Sequence, residues 1–194
     1  SNGHFCIRYR EVGSIHDVAG MSAFAPRNDI AVFDQSDSSR SHRSVAGKTI
    51  EVSSRLCYIL GLMGLKLSDY ILLMLNPTIN MQVGDFVRFP VLIPAQPDWV
   101  IAVVRENIQL AKLDWDSLET SWNFQFNPLV SIHTYLEKYR DIIGEGEACS
   151  EEMCDRNQLS EYYAAYKTLA NHLFDRLLRN EQELNQFFLF LSMV

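Results

Sequence analysis

A chain of 194 residues, 47% apolar and 21% charged, can bury the core of one domain or two small ones, which excludes a disordered or low-complexity polypeptide. Seventeen Lys and Arg against 24 Asp and Glu give a net charge of −7, which argues against a simple cationic nucleic-acid binder. Cys6, Cys57, Cys149 and Cys154 are too sparse for a secreted disulfide scaffold, and no signal peptide is recognised ahead of them, so a reduced, cytoplasmic setting is expected. The charge is uneven: residues 1–94 carry 9 Lys/Arg against 8 Asp/Glu, and residues 95–194 carry 8 against 16. Any contact with DNA is therefore expected in the first half. The opening Ser1-Asn2 reads as the remainder of a cleaved tag.

In chain order, Phe5–Glu11 and His16–Phe24 are predicted strands on either side of the Gly13-Ser14 turn, and Ile30–Phe33 and Thr49–Val52 are shorter strand candidates. Between them, the Ser-rich stretch Asp34–Lys48 reads as a loop. A single helix is predicted over Ser54–Leu75, because Leu56, Ile59, Leu60, Met63, Leu67, Ile71 and Met74 recur at helical spacing. Its longest charge-free run, Leu56–Leu65, is well short of the ~20 residues a membrane span requires, so it is read as a buried helix and no membrane is expected as a partner. Asn76–Val91 reads as a strand, a Gly84-Asp85 corner, one helical turn and a second strand.

Two prolines in Pro94-Ala95-Gln96-Pro97-Asp98 mark a boundary, with Asp98 placed to cap the next helix. Beyond it, Trp99–Leu113 and Ser131–Ile143 are predicted helices, and the aromatic segment Trp115–Phe126 is read as core or interdomain packing. Gly144–Glu152 is an acidic loop. A long amphipathic helix follows from about Leu159, with a break expected near Asn180 and an apolar end over Phe187–Val194 that suggests a missing partner. The expected architecture is α+β: a target-recognition-like domain over residues 1–94, with a small mixed sheet and a packed helix, then a helical domain over residues 95–194.

Several chemistries have no residues to carry them. The sequence holds no glycine-rich loop for a nucleotide or for S-adenosylmethionine, no P-loop, no HExxH and no nucleophile elbow. Asn76-Pro77-Thr78 and Asn127-Pro128-Leu129 lack the second proline and the aromatic of the tetrad that amino-methyltransferases use to hold a flipped adenine. Cys149 and Cys154 have no convincing histidine partners for zinc, since His133 and His172 are scattered. No catalytic residue, metal or cofactor is assigned to the chain.

Binding residues are easier to name. Arg40, His42, Arg43 and Lys48 form a basic loop suited to phosphates, although a plain solvated loop has the same composition. Arg8 and Arg10 share one face of the first strand, with Arg88 as a further cation; pairing with Glu11 or Asp85 is the competing role. In Thr78–Val83, polar residues alternate with apolar ones, so Thr78, Asn80 and Gln82 face outward together. Asn and Gln have the bidentate geometry for an adenine edge, or they could simply satisfy backbone at a sheet edge.

Four phrases, in order, resemble the adenine-specific DNA methyltransferases of the BREX phage-defence systems and related Type II methylases. They are Phe5-Cys6-Ile7-Arg8-Tyr9 with Gly13–Ser22, Leu75–Val91, Asp114-Trp115-Asp116-Ser117-Leu118-Glu119-Thr120-Ser121-Trp122-Asn123-Phe124, and Asn180–Phe188. The second also looks like the recognition domains of Type I specificity subunits. The resemblance implies the region after the catalytic core: a target-recognition domain and the helical region behind it, reading a short duplex sequence while an absent domain binds S-adenosylmethionine and methylates a flipped adenine. The expected partners are double-stranded DNA and the methyltransferase catalytic domain or other defence-complex subunits. Two rival readings are a protein-interaction module, docking through its acidic half and apolar C-terminal helix, and an independent enzyme such as a nuclease.

Overall fold

The computed structural model describes residues 5–10, 22–24, 53–78, 82–94, 97–143 and 159–193. Among the described residues the regular structure is helical: α1 (Ser54–Met63), α2 (Lys66–Leu75), α3 (Val83–Arg88), α4 (Asp98–Asp116), α5 (Ile132–Lys138), α6 (Arg140–Ile143) and α7 (Leu159–Ser192). No strand occurs among them, so the expected α+β architecture with a small mixed sheet is not what forms. The strand candidates Ile30–Phe33 and Thr49–Val52 lie outside the described residues.

The reason lies in where the extended segments spend their backbone hydrogen bonds. Residues 5–10 alternate in exposure as a strand does: Phe5, Ile7 and Tyr9 are half-buried while Cys6, Arg8 and Arg10 are exposed. Yet the Phe5 N–H donates to the Asp69 carboxylate at 2.8 Å, a side chain rather than a neighbouring strand. After α3, the Leu92 carbonyl accepts from the Tyr58 hydroxyl. Alternating polarity reports a one-sided surface; it does not require a sheet on that surface.

The described residues fall into two units. Those of the first lie within Ser1–Arg40, Glu51–Arg105 and Glu181–Val194, and those of the second within Glu106–Asn180.

In the first unit, the single helix expected over 54–75 is two helices, α1 and α2, bent by 76°. Gly64 closes α1 by donating its N–H to the Leu60 carbonyl at 3.0 Å, and Leu65 turns extended with ψ 152. The buried face of α1 is Ser54, Cys57, Tyr58, Gly61 and Leu62, an i, i+3, i+4, i+7, i+8 series. Of the stripe expected from the sequence only Met63 is buried; Leu56, Ile59, Leu60, Leu67 and Ile71 are half-buried and Met74 is exposed. The small residues Cys57 and Gly61 were the better guide, because they let another helix approach. A Cβ on Gly61 would stand 2.7 Å from Val104 Cγ2 and 3.4 Å from Val100 Cγ1 of α4. The C-terminal part of α7 completes this core: Phe188 is fully buried and meets Tyr58 edge-on at 5.8 Å, and Phe187 meets Trp99 at 5.2 Å. Asn185 of α7 also accepts from the Lys66 N–H at 3.0 Å, satisfying one free donor at the start of α2.

The second unit centres on Leu113, Tyr135 and Leu169, with Phe126, Leu136, Tyr139, Ile142 and Leu173 packed around them. The helix expected over 131–143 is interrupted at Tyr139 (φ −109, ψ 17), giving α5 and α6. Arg176 of α7 donates to the Ile142 carbonyl at 2.7 Å and pairs with Glu106. The break expected near Asn180 is not there. Its side chain donates to Asn107 at 2.8 Å, and the helix α7 is unbroken there. The tryptophans of the 115–126 segment are not core either: Trp115 and Trp122 are exposed.

No single helix among the described residues is long and apolar enough to cross a membrane; the bent pair α1–α2 meets length and composition criteria only when the two are taken together.

Candidate nucleic-acid interface

The sequence places its candidate DNA-reading residues around Asn76–Phe89, and the first unit builds that stretch as a polar corner. Asn76, which ends α2, is its pivot. Its side-chain oxygen accepts from the Thr78 N–H at 2.9 Å and from the Thr78 hydroxyl at 2.5 Å, an Asx turn that redirects the chain. Its amide donates to Asp85 at 2.6 Å. The same Asp85 oxygen accepts from the Gln82 N–H at 3.0 Å, as an N3 carboxylate does in a capping box. One carboxylate thus ties the end of α2 to the start of α3.

These two hydrogen bonds, from Asn76 first and Gln82 second, hold the Asp85 carboxyl below the ordinary carboxylate range, with the Arg88 charge adding to them. The sign follows from linkage. A lowered folded pKa stabilises the corner above the ordinary carboxylate value, and that contribution is lost as pH falls through the lowered one.

The corner differs in build from the expected strand–corner–strand. Its helical turn, α3, is present, but the described residues flanking it are irregular. Gly84 needs no glycine: a Cβ there meets nothing within 4 Å, so Asp85 and Asn76 shape the corner and Gly84 does not. In the sequence, Asn76 reads as the start of a strand and as the first residue of an incomplete catalytic tetrad. Its position at a helix end before Pro77 was the available signal of a cap and turn.

Thr78, Gln82 and Arg88 are all exposed on this corner. Arg8 and Arg10 are exposed on the segment that Phe5 anchors to Asp69 of α2, and Ile7 lies against the α1–α2 break at Gly64. Both groups of side chains therefore hang from α2. Their anchors, Asp69 and Asn76, are about 10 Å apart along the axis at 1.5 Å per residue. Arg40, His42, Arg43, Lys48 and Asn80 lie outside the described residues. Among the described residues no group of three His, Cys, Asp or Glu could hold a metal ion.

A further ionisable cluster among the described residues of this unit is internal. Arg105 donates to the Ser54 hydroxyl at 3.0 Å and lies beside Cys57, whose thiol burial pushes upward against the arginine's opposing effect. The Tyr58 hydroxyl, also buried, is pushed up to about 12. Both raised values keep these groups protonated at neutral pH, as packing residues are.

Comparison with known proteins gives two relatives. The chain is 22% identical over 182 residues to the adenine-specific methyltransferase BrxX of Escherichia coli O9:H4 (strain HS), covering 93% of this chain and 11% of that protein. It is 25% identical over 189 residues to the adenine-specific methyltransferase PglX of Lacticaseibacillus casei (strain Zhang), covering 97% of this chain and 12% of that protein. The chain thus spans about a ninth of the length of the curated relatives it matches. No family model matches it, and no solved structure matches it.

Proposed function

We propose that this chain is a DNA-contacting, non-catalytic section of an adenine-specific DNA methyltransferase of the phage-defence type. The observation that carries the reading is the near end-to-end similarity to a small part of two adenine-specific methyltransferases. The chemistry of the chain agrees with it. The sequence has neither the glycine-rich loop for S-adenosylmethionine nor the tetrad that holds a target adenine, so both belong to a catalytic domain elsewhere. What the first unit does offer is exposed Arg8, Arg10 and Arg88, cations for phosphates, and exposed Thr78 and Gln82 on a braced corner, groups able to meet base edges. Arg40, His42, Arg43, Lys48 and Asn80 belong to the same proposed surface. Duplex DNA, the catalytic domain and other subunits of a defence complex are the partners of such a section, and the cytoplasm is its place of work.

Fluorescence anisotropy of this chain against labelled duplex DNA at low and moderate salt tests the proposal. Binding should weaken steeply with salt, and Arg8→Ala/Arg10→Ala should lower the log–log slope by ~0.9 for each phosphate contact removed. A chain that does not bind duplex DNA at low salt, or a variant with the parental slope, defeats it.

A further inference from the structure

The stretch Asp114–Phe124 is built inside out. Two serines are buried, Ser117 and Ser121, while Trp115 and Leu118 are about half exposed and Trp122 is fully exposed, with 102% of its reference exposure. This is an ordered arrangement. The Ser117 hydroxyl donates to the Asp114 carbonyl at 2.6 Å, and the Ser121 hydroxyl donates to Asp116 at 2.6 Å while accepting from the Asn123 N–H at 3.2 Å. Lys112 pairs with the other Asp116 oxygen at 2.8 Å. Successive turn bonds link Trp115 to Leu118, Leu118 to Ser121 and Ser121 to Phe124. The buried polar groups fix the backbone, and the backbone presents the indoles.

Exposed tryptophans on a fixed frame are the residues most often found at the centre of protein interfaces. The charge around them selects what can come. Asp114 and Glu119 are exposed on the same turn, and the half of the chain that contains it carries 8 Lys/Arg against 16 Asp/Glu. The two exposed carboxylates disfavour phosphates there. Arginine is favoured twice, by the carboxylates and by stacking of its guanidinium on an indole face.

We infer that the Trp115–Trp122 turn is a docking surface for an arginine-bearing protein segment. This goes beyond the DNA reading, involves none of its residues, and stands or falls independently of it.

The test begins with Trp99→Phe, which leaves Trp115 and Trp122 as the only indoles of the three in the chain. The probes are a short synthetic peptide of alternating Arg and Leu, its Arg→Gln counterpart, and oligothymidine of matched length. The Arg peptide should shift the emission of the two tryptophans. By anisotropy of the labelled peptide, Trp115→Ser/Trp122→Ser should bind it at least ~10-fold more weakly, as removal of interface anchors does. Because both side chains are exposed, circular dichroism of the double variant should be that of the parent. Unchanged affinity in the double variant would reduce the contact to bulk charge and overturn the inference. Equal binding of the Gln peptide, or tighter binding of oligothymidine than of the Arg peptide, would overturn it as well.

Discussion

Under the surface of α1 lie Cys57, Tyr58, Leu62 and Met63, and Gly61 lets Val100 and Val104 of α4 come within contact distance of its backbone. Under the surface of the Asp114–Phe124 stretch lie two serines, while Trp115, Leu118 and Trp122 are exposed. The first region is held by apolar area and close approach, both of which are lost continuously as packing loosens. The second is held by a few hydrogen bonds between groups that have no alternative partners once buried. A region of the second kind can carry exposed tryptophans without collapsing around them. It follows that apolar content alone says little about which part of this chain is core.

The difference makes the two regions respond unequally to substitution. The largest effect is expected at Phe188, which is fully buried against Tyr58 and Phe187. Phe188→Ala should cost about 3–5 kcal/mol in urea unfolding, by lost transfer energy and the cavity left behind. Next comes Gly61→Ala. On an open helix this change stabilises by about 1 kcal/mol. Here the new Cβ would stand 2.7 Å from a Val104 methyl, and valine is stiff in a helix and yields little. Overpacking of about 1–3 kcal/mol should outweigh the helical gain and leave a net loss. Val104→Ala makes room for the new methyl, so the double variant should be more stable than the two single costs predict when added. Simple additivity would mean that α1 and α4 are not in close contact at Gly61.

The same contrast explains what could be read in the sequence. Helical periodicity in 54–75 was legible, but the chain there is apolar on nearly every face, so spacing alone did not select the buried one. The bent pair needed knowledge that Leu65, not Lys66, would sink into the core. The alternation at 5–10 was legible too, and Arg8 and Arg10 do share the exposed side. What those residues pair with was not legible, because Asp69 is 64 positions from Phe5. At the corner, the helical turn and the Gly84-Asp85 corner were legible, whereas the Asx turn at Asn76 was not, because Asn76 is tied to a carboxylate nine positions away. In the aromatic segment Phe126 does pack on the core, but the two indoles do not, for a plainer reason. Sequence gives the size of an indole and not its direction, and only the buried serines reveal that direction.

The turn supplies the two smaller effects. Ser121→Ala removes the donor to Asp116 and the acceptor for the Asn123 N–H, in a site only 7% exposed. A cost of about 1–2 kcal/mol is expected, most of it from polar groups left unsatisfied.

Trp122→Ser should do almost nothing to stability, within about 0.5 kcal/mol, as for surface sites free of special contacts. This inverts the usual ranking, in which losing a tryptophan costs far more than losing a serine. The pair of variants, compared in one urea series, is therefore the sharpest probe of the contrast between the regions. If Trp122→Ser costs more than Ser121→Ala, the indole is packed in solution, the turn belongs with α1 as ordinary core, and an arginine-bearing segment has no open indole at Trp122 to stack on. If the ranking is inverted as expected, the exposed indole is maintained by the serines beneath it, and stability gives no reason for the chain to carry a tryptophan there. The reason must then lie in what binds.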